Sequence, residues 1–182
     1  MVFCSEHRRP LTHGYFHLAC ATVFTTAQST PYKTNVFSAT FSGPVEVQQS
    51  GSKGGTSTNV IYLTNGAVSQ VLGVRTINAP GIDVNRTSLD VYAENALKGK
   101  TQDDRQYYEV QGHIAVYLNT HYTDKGVVLR RRRLTIILNA RTVIMLVQDA
   151  EASFSDGGVE DWQTLTHSLV INNACTLPEG CS

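Results

Sequence analysis

The sequence predicts an α+β domain: an antiparallel β-sheet of about six to seven strands flanked by two helices. Three observations carry this. Apolar and polar residues alternate along most of Asn35 to Gln148, the period of half-buried strands. Turn signals such as Asn65-Gly66 join neighbouring stretches as hairpins, because both central residues of that turn need positive φ. Helical periodicity interrupts the strands only twice, so strands and helices are segregated rather than alternating.

In chain order, "NVFSATFSGPVEVQQ" reads as two extended pieces meeting at Gly43-Pro44. "SGSKGGTST" (Ser50 to Thr58) reads as a hairpin loop. It is not a phosphate-binding loop, since its lysine precedes the glycines and a strand follows. "NVIYLTNGAVSQVLGVRTI" gives a hairpin about Asn65-Gly66. A helix then begins at Thr87. Thr87 or Ser88 is its expected cap, Asp90 completes a capping box and Gly99 closes it. Leu89, Tyr92, Ala93, Ala96 and Leu97 form its apolar stripe, and Glu94 and Lys98 a surface pair.

"QYYEVQGHIAVYLNTHYT" is read as one strand, Asp124-Lys125-Gly126 as a turn, "VVLRRRRLTIIL" as the next strand, Asn139-Ala140 as a turn and "RTVIMLVQDA" as the return, a three-stranded meander. A polar loop leads to a short helix around Val159 to Thr166, with Trp162 and Leu165 on one face. "SLVI" ends the folded part.

The four arginines split between the two faces of their strand. Arg130 and Arg132 share one with Leu134 and Ile136, and Arg131 and Arg133 the other. They form no continuous patch, and those facing the core need a partner to offset desolvation. Glu109, Asp103 and Asp104 are the expected acids. An ion-paired strand end is the main reading, and an anion or partner contact at Arg130, Arg131, Arg132 and Arg133 the rival. Fifteen basic residues balance fifteen acidic ones, so no net charge attracts a polyanion. Aromatics do not interleave with the arginines, and nucleic acid is not an expected partner.

His7, Arg8 and Arg9, the apolar run Tyr15 to Phe24 and the small residues before Gln28 resemble an export signal. Cys4 and Cys20 fall within that leader. Cys175 and Cys181 then remain as candidates for a small disulfide loop, with Pro178 and Gly180 between them. Zinc needs about four ligands at suitable spacing, which the chain does not offer there. The expected organisation is leader 1–27, linker 28–34, domain 35–171 and tail 172–182, exported to the periplasm or beyond. No transmembrane segment is expected after the leader.

The strands "FSATFSGPVEV", "NVIYLTNGAVSQVLGV", "EVQGHIAVYL" and "VVLRRRRLTIILNARTVIMLVQ", the helix "SLDVYAENALKG" and the ending "DWQTLTHSLVI" resemble secreted bacterial domains of the PsbP-like superfamily. The resemblance covers roughly Asn35 to Ile171 and implies an antiparallel sheet with flanking helices. It also implies function by binding other proteins rather than by turnover, with no active site to carry over.

His113, His121 and His167 are the residues an enzyme reading would use, yet no nucleophile elbow, H-E-x-x-H or C-x-x-C motif selects any of them. Each reads as a structural or surface histidine, and Tyr107, Tyr108 and Trp162 as core or rim aromatics. Asn85-Arg86-Thr87 matches a glycosylation sequon but also supplies the helix start. No cofactor or metal is expected. The expected function is a non-catalytic interaction domain with a protein partner. The alternatives are a small-molecule or lipid carrier with a cavity between sheet and helices, and a hydrolase or isomerase.

Overall fold

The structure is a computed structural model and describes residues 29–172, except 53, 65, 66 and 78–80. The leader, the Asn65-Gly66 turn and the Cys175/Cys181 loop lie outside the described residues. The strands are β1 (Thr30–Lys33), β2 (Phe37–Phe41), β3 (Val45–Ser52), β4 (Gly55–Thr64), β5 (Ala67–Ile77), β6 (Thr101–Val110), β7 (His113–Asp124), β8 (Val127–Ile137), β9 (Thr142–Glu151) and β10 (Val170–Ile171). The helices are α1 (Arg86–Leu97), between β5 and β6, and α2 (Asp156–Ser168), between β9 and β10.

An antiparallel sheet of seven strands, ordered β3-β4-β5-β9-β8-β7-β6, forms the body. The α+β class with two helices is as expected. The chain also builds a second, three-stranded sheet β1-β2-β10, which the sequence reading lacks. Thr30–Lys33, expected as linker, pairs with β2. The stretch expected as one strand after α1 is two, because Gln111 (φ 52) and Gly112 (φ 83) turn the chain sharply. The meander therefore has four strands, β6 to β9. Ser50 to Thr58 is mostly strand, with β3 and β4 in register from Val45↔Tyr62 to Ser52↔Gly55.

The cap of α1 also differs. Asn85, not Thr87 or Ser88, is the N-cap, and its Oδ1 accepts from the Ser88 N–H at 2.9 Å. An amide cap fills the role as well as a hydroxyl. Gly99, at φ +72, follows the helix as expected. Glu94 pairs with Arg105 Nη2 at 2.6 Å rather than with Lys98, since β6 offers a forked donor across from the helix.

Each face of the large sheet has its own core. One face packs Val60, Leu72, Leu134, Ile136, Ile144 and Leu146 against Phe37 and Phe41 of β2 and Trp162 and Leu165 of α2. The other packs Val116, Leu118, Ile137 and Val143 against Leu89 and Ala93 of α1. Burial of these side chains, each contributing about 1.5–3 kcal/mol, holds the layers together.

Gly43, at the expected break between β2 and β3, is there for space. A Cβ on it would sit 2.6 Å from Cε2 of the Tyr62 ring, itself in the core. Gly43→Ala is expected to lower stability by about 1–3 kcal/mol. Urea unfolding checks this, and an unchanged midpoint would mean that the ring moves aside freely.

Candidate functional site

Cross-strand register builds two neighbouring features on the α2 face of the sheet. The first is a polar row. Gln70 stands opposite Gln148, Gln148 opposite Arg132, Arg132 opposite Asn119 and Asn119 opposite Asp104. Residues opposite one another share a face, so this row crosses five strands. Arg132, only 8% exposed, donates to Gln148 Oε1 at 2.5 Å and to the Gly158 carbonyl of α2 at 2.7 Å. Its guanidinium lies over Phe154 at 4.2 Å and Trp162 at 5.0 Å. Burial lowers its pKa, but the stacked, hydrogen-bonded setting suits a guanidinium. Gln70 is wholly buried, and neither polar atom of its amide has a hydrogen-bond partner.

The other arginines also have partners within the domain. Arg131 makes a forked contact with Asp149, at 2.6 and 2.7 Å, and these hydrogen bonds raise its pKa. Arg130 donates to the Ala152 carbonyl at 2.7 Å and approaches Asp103 at 3.4 Å, with His121 2.7 Å from the same carboxylate. Arg133 meets Thr135 Oγ1 and Met145 Sδ, and burial followed by the Arg131 charge lowers its pKa. Of the three acids expected here, Asp103 takes part. Glu109 sits opposite Ile114 at the far end of β6–β7, and Asp104 accepts from Gln106.

The second feature is a groove of about 830 Å³ between α2 and the β6–β7 end of the sheet. Tyr108, Tyr117, Leu134 and Trp162 line it with Asp104, Gln106, Glu109, Val110, Thr166 and His167. Its aromatics form a tilted chain, with ring centroids 6.3 Å apart for Tyr108–Tyr117 and 6.4 Å for Tyr117–Trp162. That geometry is favourable for ring quadrupoles. Along β6, the Tyr108 hydroxyl donates to Gln106 Oε1 at 2.7 Å and the Gln106 amide to Asp104 Oδ2 at 2.6 Å. These donors are thus used inward, and an acceptor-rich rim remains. Asn119 Oδ1, buried and without a partner, lies opposite Asp104. Burial raises the pKa of both Tyr108 and Tyr117, and the Asp104 carboxylate adds to each shift, while Arg132 opposes it at Tyr117.

The sequence reading misses this groove. Tyr108 and Gln106 do share a face of β6, but only the position of α2 brings Trp162 beside them.

The histidines are dispersed. His113 opens β7 and His121 lies eight residues further along it, roughly 26 Å away at strand rise. His167 lines the groove from α2. Among the described residues, no three His, Cys, Asp or Glu side chains are grouped to hold a metal ion. No described helix is long and apolar enough to cross a membrane.

His113 is buried, and burial lowers its pKa from 6.5. The unfolded chain therefore binds this proton more tightly. Its contribution is fully present above about pH 6.5 and is lost as pH falls from there through the lower folded value. His113→Gln is expected to flatten the stability loss between neutral and mildly acidic pH. Unfolding midpoints across that range check it, and an equal decline in both proteins would contradict it.

No family model matches the chain, and no curated protein matches it in sequence. Among solved structures it is similar to the protein of unknown function PA94 from Pseudomonas aeruginosa, at 14% identity over 74% of this chain and 91% of that one, with a TM-score of 0.45. LpqN of Mycobacterium tuberculosis, involved in cell envelope biogenesis, matches at 14% identity over 79% of this chain and 90% of its own, with a TM-score of 0.47. The immunity protein TplEi of the type VI secretion system of P. aeruginosa, complexed with an "L" peptide, matches at 13% identity over 74% of this chain and 52% of its own, with a TM-score of 0.42. No residue role is carried over from matches this distant.

Proposed function

We propose that the chain is an exported, non-catalytic interaction domain related to the PsbP-like superfamily, and that it binds its protein partner through the groove between β6 and α2. The groove is the observation that carries this reading. It combines three aromatic side chains with polar groups on an open surface, the composition of protein-contact patches. Tyr108 is 43% exposed although it is large and aromatic, and β6 has a single neighbour among the described strands. The arginines, by contrast, have intramolecular partners and less to offer a ligand.

Packing favours binding at the surface over a carrier function. The layer between the large sheet and α2 is filled by Phe37, Phe41, Leu72, Leu146 and Leu165, each at most 2% exposed, where a carrier would need space. Dispersal of His113, His121 and His167 likewise supports a non-catalytic role. Export rests on the leader and on the Cys175/Cys181 pair, and N-terminal sequencing of the mature protein with thiol labelling tests it.

The interaction itself is tested by a photo-cross-linking phenylalanine analogue at position 108, in the full chain in its own host, with the exposed Val91 of α1 as control. A discrete adduct from position 108 alone is expected. No adduct, or the same adducts from both positions, would overturn the reading.

A further inference from the structure

Resting on that reading, we propose that the groove takes an extended, lysine- or arginine-bearing segment of the partner, added as a strand to the outer edge of β6, with its cationic side chain over Tyr108 and Tyr117 and against Asp104. Three observations converge on this chemistry.

The first is the edge. Among the described residues β6 ends the seven-stranded sheet, and alternate backbone N–H and C=O groups along the outer side of such a strand suit an added strand. The register shift between Gln102 and Asp104 disturbs the early part of β6, whereas Asp104 to Val110 pairs regularly with β7. A bulge blunts an edge, and here the groove adjoins the part of the strand beyond it.

The second is the polarity of the rim. The Tyr108-to-Gln106-to-Asp104 chain directs its donors toward the carboxylate. Asp104 is the carboxylate on this face of β6, since Glu109 stands opposite Ile114 on the α1 face. A surface with acceptors in excess selects a ligand with donors in excess, and a lysine or arginine head is that ligand.

The third is the aromatic floor. Arg132 already lies over Trp162 and Phe154, leaving the Tyr108 and Tyr117 rings for an incoming cation. His167 is the one basic residue among the lining residues, and its placement on α2 puts it across the groove from β6. Because formal charge over the whole chain is zero, selection for a cation is local to this rim rather than a product of net charge.

The chain holds one tryptophan, Trp162, and it lines the groove, so its fluorescence reports occupancy. The full chain is titrated with a blocked octapeptide alternating threonine and lysine, with its threonine–glutamate counterpart, and with lysine versions N-methylated on odd or on even residues. A saturable change is expected with the lysine peptide. Binding should weaken about tenfold or more with the glutamate peptide, and similarly in the Asp104→Asn variant. One of the two N-methylated peptides should lose binding, because strand addition uses alternate backbone amides. The proposal is overturned by equal binding of both charges, by no response to any peptide at millimolar concentration, by indifference to both methylation patterns, or by self-association of the chain through β6. If the peptides fail while the position-108 adduct persists, the interaction reading stands without this chemistry; if the adduct is absent as well, both fall.

Discussion

Arg132→Ala is expected to destabilise the domain by about 2–4 kcal/mol, the largest effect of any change in the arginine row. The substitution removes the donor to Gln148 Oε1, withdraws the link to the α2 carbonyl of Gly158 and uncovers Phe154 and Trp162. Arg132→Met should cost much less, about 1 kcal/mol, because it keeps an apolar stem against the rings and removes a buried charge. The Gly158 carbonyl also retains a donor in that variant, from Gln148 Nε2 at 2.8 Å. Urea unfolding of the two variants separates these contributions. Near-native stability of Arg132→Ala would mean that this side chain does not anchor α2 to the sheet.

A comparable loss is expected at Phe41. It is fully buried on β2 and belongs to the core that joins the small sheet to the large one and to α2. Phe41→Ala should cost about 3–5 kcal/mol. Against a total of about 5–15 kcal/mol for a domain, that leaves little margin. Phe41→Leu fills most of the space and should cost under about 1.5 kcal/mol. Thermal unfolding followed by Trp162 fluorescence reports both, since α2 packs on β2 through the same core. A small effect of Phe41→Ala would show that the two sheets are held together elsewhere.

Much of the fold is legible in the sequence, and the arginine hairpin shows how far such reading extends. Counting outward from a two-residue turn at Asn139-Ala140 would set Arg131 opposite Gln148; the turn also takes in Arg141, with the Leu138 N–H donating to the Thr142 carbonyl, and this one-residue difference sets Arg131 opposite Asp149 and Arg132 opposite Gln148. The partner of Arg131 therefore depends on the length of the turn, which local pattern leaves a residue short, and the acids of the preceding segment are the ones it suggests. Periodicity also identifies the α1 stripe through Leu89 and Ala93, and the Trp162 and Leu165 face of α2.

Other features depend on long-range packing that no local pattern encodes. β1 and β10 are four and two residues long, too short for alternation to distinguish from loop. They exist because β2 lies between them. The Gln111-Gly112 turn carries a positive-φ glutamine, a residue that announces no turn. The groove depends on α2 returning across the sheet after β9, so Tyr108 and Trp162, far apart in sequence, read separately as rim aromatics.

The most direct test compares two surfaces of the full chain in its own host. The partner that cross-links from position 108 is quantified in native pull-downs of the unmodified protein, of Asp104→Asn/Tyr108→Ala in the groove, and of Arg130→Gln at the exposed end of the arginine row. A groove contact predicts that the partner is lost with the first variant and retained with the second, with both variants folded by their unfolding midpoints. Retention by the groove variant and loss with Arg130→Gln would contradict it, and would place the contact on the arginine strand instead.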